Sequence, residues 1–169
     1  MQIVIIFFIA FVLFVIWKYW TLFIGAGYDP TPIERVHKML WLARLNENDV
    51  LYDLGSGDGR ILLAAAKKYG VKAVGIEADP FRFVLSWFFV LLAGQTKRIR
   101  VKFGNFFKEK IGDASVVTVF LYTPTNNRLK EKFFKELKPG TRIVSYFWIF
   151  HEWEPRDSLP NDNIYLYVI

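Results

Sequence analysis

The segment Asp53-Leu54-Gly55-Ser56-Gly57-Asp58-Gly59-Arg60 places three glycines at alternate positions, after an apolar run and before an amphipathic one. Glycine lets a backbone turn sharply and come close to a ligand that a side chain would block. The GxGxG spacing differs from the GxGxxG that seats a pyrophosphate on a helix N-terminus. The loop carries Asp58 and no lysine, which argues against phosphates and excludes a P-loop. Asp53, just before the loop, offers a carboxylate suited to the ammonium group of a methionyl moiety.

Glu77 ends the run Val74-Gly75-Ile76-Glu77-Ala78-Asp79. An acidic residue at the end of a second parallel strand accepts hydrogen bonds from ribose hydroxyls, a role common to nicotinamide and adenosylmethionine sites. Asn105-Phe106 supplies an amide and a ring of the kinds that read adenine, although Asn in a loop is also an ordinary turn residue. The two histidines, His37 and His151, have no metal-ligand partner at useful spacing, and there is no cysteine, so no metal site is expected.

Elements that would position these groups follow from periodicity. Strands are expected over residues 49–54, 72–76, 100–103, 116–122, 141–150 and 164–169, and helices over residues 60–69, 81–92 and 126–137. An earlier helix begins near Pro32, with Thr31 as its cap and Glu34 completing a capping box. Alternating strands and helices imply a mainly parallel sheet whose ligands bind at the carboxyl ends of its strands. The apolar stretch over residues 81–92 is too short to span a bilayer; burial against the sheet is expected, with a membrane-surface helix as the alternative.

At 169 residues the chain has room for one α/β domain and a short appendage. Hydrophobic residues make up 53% of it, with the surplus concentrated at the N-terminus. Residues 3–24 carry Lys18 as their one charge and would rise about 33 Å as a single helix, enough for a hydrocarbon core of ~30 Å. The expected organisation is therefore a transmembrane anchor over residues 1–25, a linker over 26–32 and a catalytic domain over 33–169. Lys18, Arg35 and Lys38 all lie towards the C-terminal side of the apolar segment, which places that domain on the cytoplasmic or equivalent organellar side of a single-pass protein touching lipid through its N-terminal helix. The net charge is +6, and its densest cluster is Lys97, Arg98, Arg100 and Lys102, read as a solvated corner or a face towards anionic lipid or an acidic partner. No motif supports nucleic acid as a partner.

Asp53 to Arg60, followed by Gly75-Ile76-Glu77, resembles the class I, seven-stranded, S-adenosylmethionine-dependent methyltransferases. Residues 31–60, residues 116–150 and Glu152-Trp153-Glu154-Pro155 narrow the likeness. Together they resemble the protein-lysine methyltransferases of adenine nucleotide translocase and the ATP synthase c-subunit, with their prokaryotic relatives. The resemblance implies a Rossmann-like α/β sheet, mostly parallel, here preceded by one transmembrane helix, and S-adenosylmethionine as cofactor. It assigns Asp53, Gly55, Ser56, Gly57, Asp58, Glu77, Ala78, Asn105, Phe106 and Leu121 to that cofactor. It places Leu121-Tyr122-Thr123-Pro124 in the loop beside the methyl group. The Asp/Asn-Pro-Pro-aromatic signature of amino-methyltransferases is absent, and only six strands are evident where seven are expected.

The transfer is an in-line displacement that needs alignment and an unprotonated nucleophile more than strong acid–base groups. A lysine of pKa near ~10.4 would need a water-poor aromatic channel that favours its neutral form. Tyr122 is the first candidate to line it, with Thr123 and Asn126 as hydrogen-bonding partners; Tyr28, Asp29 and Trp153 are further candidates. The expected function is methylation of lysine in a protein, including a membrane-embedded one. A lipophilic small-molecule acceptor and a non-catalytic, membrane-tethered binding module are the rival readings.

Overall fold

The structure is a computed structural model that describes residues 2–9, 11–12, 15 and 29–169. Its elements from residue 33 onward are α1 (Ile33–Leu42), β1 (Val50–Leu54), α2 (Arg60–Tyr69), β2 (Lys72–Glu77), α3 (Pro80–Leu92), β3 (Ile99–Phe103), β4 (Val116–Val119), α4 (Thr123–Glu136), β5 (Arg142–Tyr146), β6 (Asp157–Leu159) and β7 (Ile164–Val168). The strands form one seven-stranded sheet in the order β3-β2-β1-β4-β5-β7-β6. β3 to β5 run parallel, and β7 pairs antiparallel with both β5 and β6. The topological reversal therefore lies between β1 and β4, where an open α/β sheet leaves a crevice at its carboxyl edge.

The central strands read as near-continuous apolar runs because both faces are covered. On one face Leu51, Ala73, Val116 and Val144 pack beneath α1 and α2 with Met39, Leu40, Leu62 and Ala65. On the other, Tyr52, Ile76, Val117 and Ile143 meet Leu129 and Phe133 of α4. The alternation sends Asp53 to the α2 side, and parallel pairing sets it level with Thr118. A one-residue slip would turn that carboxylate into the opposite core.

Glycines bound α2 at both ends. Gly59 enters it at φ 81°, and Gly70 ends it at φ 71°. A Cβ on Gly59 would also sit 2.4 Å from the Ser86 hydroxyl, so that loop and α3 touch because residue 59 lacks a side chain. α3 starts on Asp79, whose carboxylate accepts from the Arg82 N–H at 2.9 Å, with Pro80 at its first position.

Several expectations are corrected. Among the described residues no helix is long and apolar enough to cross a membrane. Among the described residues the fold is the α/β sheet without the transmembrane helix expected before it, and the single-pass membrane location drawn from that helix is not supported. The remainder of the expected anchor, residues 1, 10, 13–14 and 16–25, and residues 26–28 of the expected linker lie outside the described residues.

α1 is entered at Pro32 with no side-chain cap, so Thr31 lies one residue too far back for the expected capping box. Glu34 instead pairs with Lys38 at 2.8 Å. β4 stops at Val119 because residues 120–122 leave the sheet for α4, and β5 stops at Tyr146 because the chain reverses at Phe147. The seventh strand is β6, three residues with no apolar alternation to announce it. The stretch over residues 81–92 is helical but largely uncovered: in α3 only Ser86 and Val90 are buried, while Phe81 and Leu92 are 61% and 68% exposed. α3 lies over edge strand β3 and its neighbour β2, so no described element covers its outer side.

Candidate active site

The cleft at the carboxyl edge of β1, β2 and β4 encloses about 750 Å³ including its open mouth. Asp53, Gly55, Ser56, Gly57, Asp58, Glu77, Ala78, Phe106 and Leu121 all line it. The connection between β1 and α2 holds Gly55, Gly57 and Gly59 at φ 82°, 55° and 81°, a left-handed region that costs most residues strain. A Cβ on Gly75 would lie 2.6 Å from the Ser56 hydroxyl and 2.5 Å from Leu62, so a bare residue in β2 lets this loop close down on the sheet.

Glu77 ties the loop to α3. One carboxylate oxygen accepts from the Gly57 N–H at 2.7 Å and the other from the Asp79 N–H at 2.8 Å. Each oxygen retains lone-pair capacity for a ligand hydroxyl. Burial raises the Glu77 pKa above the usual carboxylate range, against the pull of those two N–H groups. Asp53 is buried and accepts from the Thr118 hydroxyl at 2.8 Å. Its carboxyl is pushed up to about 7, chiefly by burial, with the Glu77 and Asp58 charges adding and the Thr118 bond opposing. Asp58 is different. Burial would raise it, but Arg60, paired with it at 2.6 Å, holds it below the ordinary value.

Asn105, Tyr122, Thr123 and Asn126 do not line the cleft. The Asn105 side chain accepts from the Phe107 N–H at 2.9 Å and shapes the turn that presents Phe106. Tyr122 is the N-cap residue of α4, with its ring set edge-on to Trp148 at 5.5 Å. Thr123 is the first residue of α4. Asn126 is fully buried, and its amide donates to the Trp148 carbonyl at 3.0 Å and towards the Ser145 hydroxyl at 3.4 Å. Trp153 packs in the core against Phe150 and Tyr167, and Tyr28 lies outside the described residues.

Sequence reasoning did not bring Pro30, Thr31, Arg60, Ile61, Arg82 and Phe120 to the cleft, and it placed Asp29 at the acceptor. Arg60 closes the glycine motif itself, and its guanidinium donates to the Thr31 carbonyl at 2.9 Å, folding residues 29–31 over the cleft. That contact spans 29 residues and has no local signal.

The ANTKMT methyltransferase domain family matches residues 53–157. Along 149 residues the chain is 44% identical to a protein-lysine N-methyltransferase of Saccharolobus islandicus, covering 84% of this chain and 92% of that one. It is 33% identical to the human lysine N-methyltransferase of the ATP synthase c-subunit over 78% of this chain, and it spans 54% of that protein. Among solved structures it matches an RNA methyltransferase from Salinibacter ruber in complex with S-adenosylhomocysteine. The TM-score there is 0.81 at 39% identity, covering 83% of this chain and 94% of the other.

The cleft suits S-adenosylmethionine on its own chemistry. Asp53, Asp58 and Glu77 line it with carboxylates that would suit a ligand carrying an ammonium and a sulfonium, the Ser56 hydroxyl is buried without a partner among the described residues, and the glycine loop leaves its backbone bare. With the matched motifs on this cleft, the chain belongs to the ANTKMT methyltransferase domain family of S-adenosylmethionine-dependent methyltransferases.

Proposed function

We propose that the chain methylates lysine side chains of proteins. The observation that carries this reading is the likeness to the archaeal protein-lysine methyltransferase over nearly the whole of that relative's length. The human relative, named for lysine in the ATP synthase c-subunit, points the same way over about half of its length.

S-adenosylmethionine supplies a methyl group activated on a sulfonium. In this reading Asp53 holds the methionyl ammonium and Glu77 the ribose hydroxyls. Gly55, Ser56 and Gly57 offer backbone and hydroxyl groups to the same ligand, while Asp58 with Arg60 closes the mouth. Ala78, Phe106 and Leu121 form the apolar walls for the nucleoside, and Asn105 sets the turn behind Phe106. Tyr122 and Thr123, at the start of α4, stand on the acceptor side. No strong base is needed if the acceptor amine enters a water-poor site that favours its neutral form.

The Salinibacter relative, named as an RNA methyltransferase, favours a second acceptor class. One assay separates them. The full chain is incubated with S-adenosylmethionine labelled on its methyl group and, in parallel, with a protein extract, an RNA extract and a lipid extract. The expected result is label in protein, mapped by mass spectrometry to lysine. Label in RNA or lipid, with none in protein, overturns the proposal.

A further inference from the structure

The chain leaves β5 through a turn that costs energy. The Trp148 N–H donates to the Tyr146 carbonyl at 2.8 Å, and Phe147 between them has φ 67°. A three-residue turn with a positive central φ is rare and strained, and a large side chain suits it poorly. Glycine would relieve the strain, yet the position carries phenylalanine, and that ring is 50% exposed.

Four hydrogen bonds hold the turn shut. Besides the bond across it, the Phe147 N–H donates to the Asn163 carbonyl at 2.7 Å. Asn126 donates to the Trp148 carbonyl at 3.0 Å, and the Ser145 hydroxyl donates to the same oxygen. Asn126 and Ser145 are both buried, so two interior polar groups are spent on one carbonyl. Phe150, three residues on, is a core residue against Tyr167 and Phe133. The fold therefore has apolar anchorage nearby without turning Phe147 outwards. Strain retained where it does not stabilise the fold marks a site with another use.

The rings form a connected wall. Phe120, which lines the cleft, lies 4.6 Å from Tyr146 between centroids; Phe147 is 5.1 Å from Trp148, and Trp148 is 5.5 Å from Tyr122. Tyr122 is 44% exposed, so the wall opens to solvent at the same carboxyl edge of the sheet as the cleft.

We propose that Phe147, Trp148 and Tyr122 are the binding platform for the acceptor side chain, and that Asn126 and Ser145 are positioning residues holding that platform. This rests on the lysine reading above and names the residues that would meet the substrate. Aromatic faces accept a methylene stem and a cationic or partly methylated amine together, and they exclude the water that would keep the amine charged.

The test measures acceptor KM, kcat, cofactor affinity and Tm for the wild-type full chain, Phe147→Gly, Trp148→Ala, Trp148→Phe and Asn126→Ala. The acceptor is a protein that the wild-type chain methylates. Phe147→Gly is the informative variant, because it removes the ring while relieving the turn. It is expected to hold or raise Tm while raising acceptor KM by roughly threefold to thirtyfold, the range of a lost cation–π contact. Trp148→Ala moves in the same direction and Trp148→Phe recovers part of the loss. Asn126→Ala raises acceptor KM more than it lowers kcat, which a purely structural loss would not do. S-adenosylmethionine affinity stays within twofold throughout. Acceptor KM unchanged in Phe147→Gly and Trp148→Ala, or cofactor affinity falling as far as acceptor affinity, overturns the platform. A wild-type chain that makes no methyllysine overturns the lysine reading itself, and the platform with it.

Discussion

Asp53 gives the proposed cofactor mode a pH signature. Its carboxyl in the cofactor-free protein titrates at about 7, raised mainly by burial, whereas a methionyl ammonium requires the carboxylate. Binding must therefore expel a proton whenever the pH lies below that value. For one such group the apparent Kd scales as one plus the ratio of protonated to ionised sites. Affinity should then rise roughly fifteenfold between pH 5.5 and 7. The window closes above that, because an α-amino group loses its own proton near ~7.7–8.0. Calorimetric titration with S-adenosylmethionine across this range, in buffers of different ionisation heat, reads both the affinity and the proton released. Asp53→Asn keeps an oxygen for the Thr118 hydroxyl, so the strand pairing has no reason to fail, and its weaker binding should show no slope. A wild-type Kd constant within twofold over the window refutes the assignment. So does an equal slope in Asp53→Asn.

The same group predicts stability with the opposite sign to an ordinary salt-bridged acid. Its folded pKa is raised above the ordinary carboxyl value of 3.8, so the cofactor-free protein loses stability as pH climbs towards about 7. Asp53→Asn should consequently be more stable than wild type at pH 8 by up to about 4 kcal/mol, and the advantage should shrink by pH 5 in thermal scans. Gly75→Ala forces a methyl group into Ser56 and Leu62 and should cost about 1–3 kcal/mol while weakening cofactor binding; unchanged Tm and Kd would refute that packing. On α3, Phe88→Ser should stay within about 0.5 kcal/mol of wild type in urea unfolding, whereas Val90→Ala should cost about 2 kcal/mol. Equal costs would mean that the outer face of α3 is covered.

Much of the cleft was legible because its chemistry is local. Asp53 to Arg60 is contiguous, and Glu77 ends an apolar run, so strand, loop and helix could be ordered from spacing alone. The proposed acceptor side was not legible in that way. Asn126 looks like an exposed donor at a helix start, but the crossing of α4 over β5 buries it against Trp148. Phe147 reads as the interior of a strand until its backbone reverses. The apolar run in α3 promised burial, and the edge position of β3 left it open. The seventh strand was missed because Asp157–Leu159 is short and mostly polar and pairs only where β7 already lies.

The sequence by itself determined the α/β class, the parallel core and the glycine loop at its carboxyl edge. These depend on residue type at fixed short spacing, where glycine conformations and strand periodicity act within a few residues. Tertiary structure alone decided that Thr118 meets Asp53, that Arg60 folds residues 29–31 over the cleft, and that a strained turn after β5 carries an aromatic wall to its rim. Those contacts join residues 65, 29 and 22 positions apart. Only the register of the strands, the packing of α1 against α2 and the packing of α4 bring them within hydrogen-bonding reach.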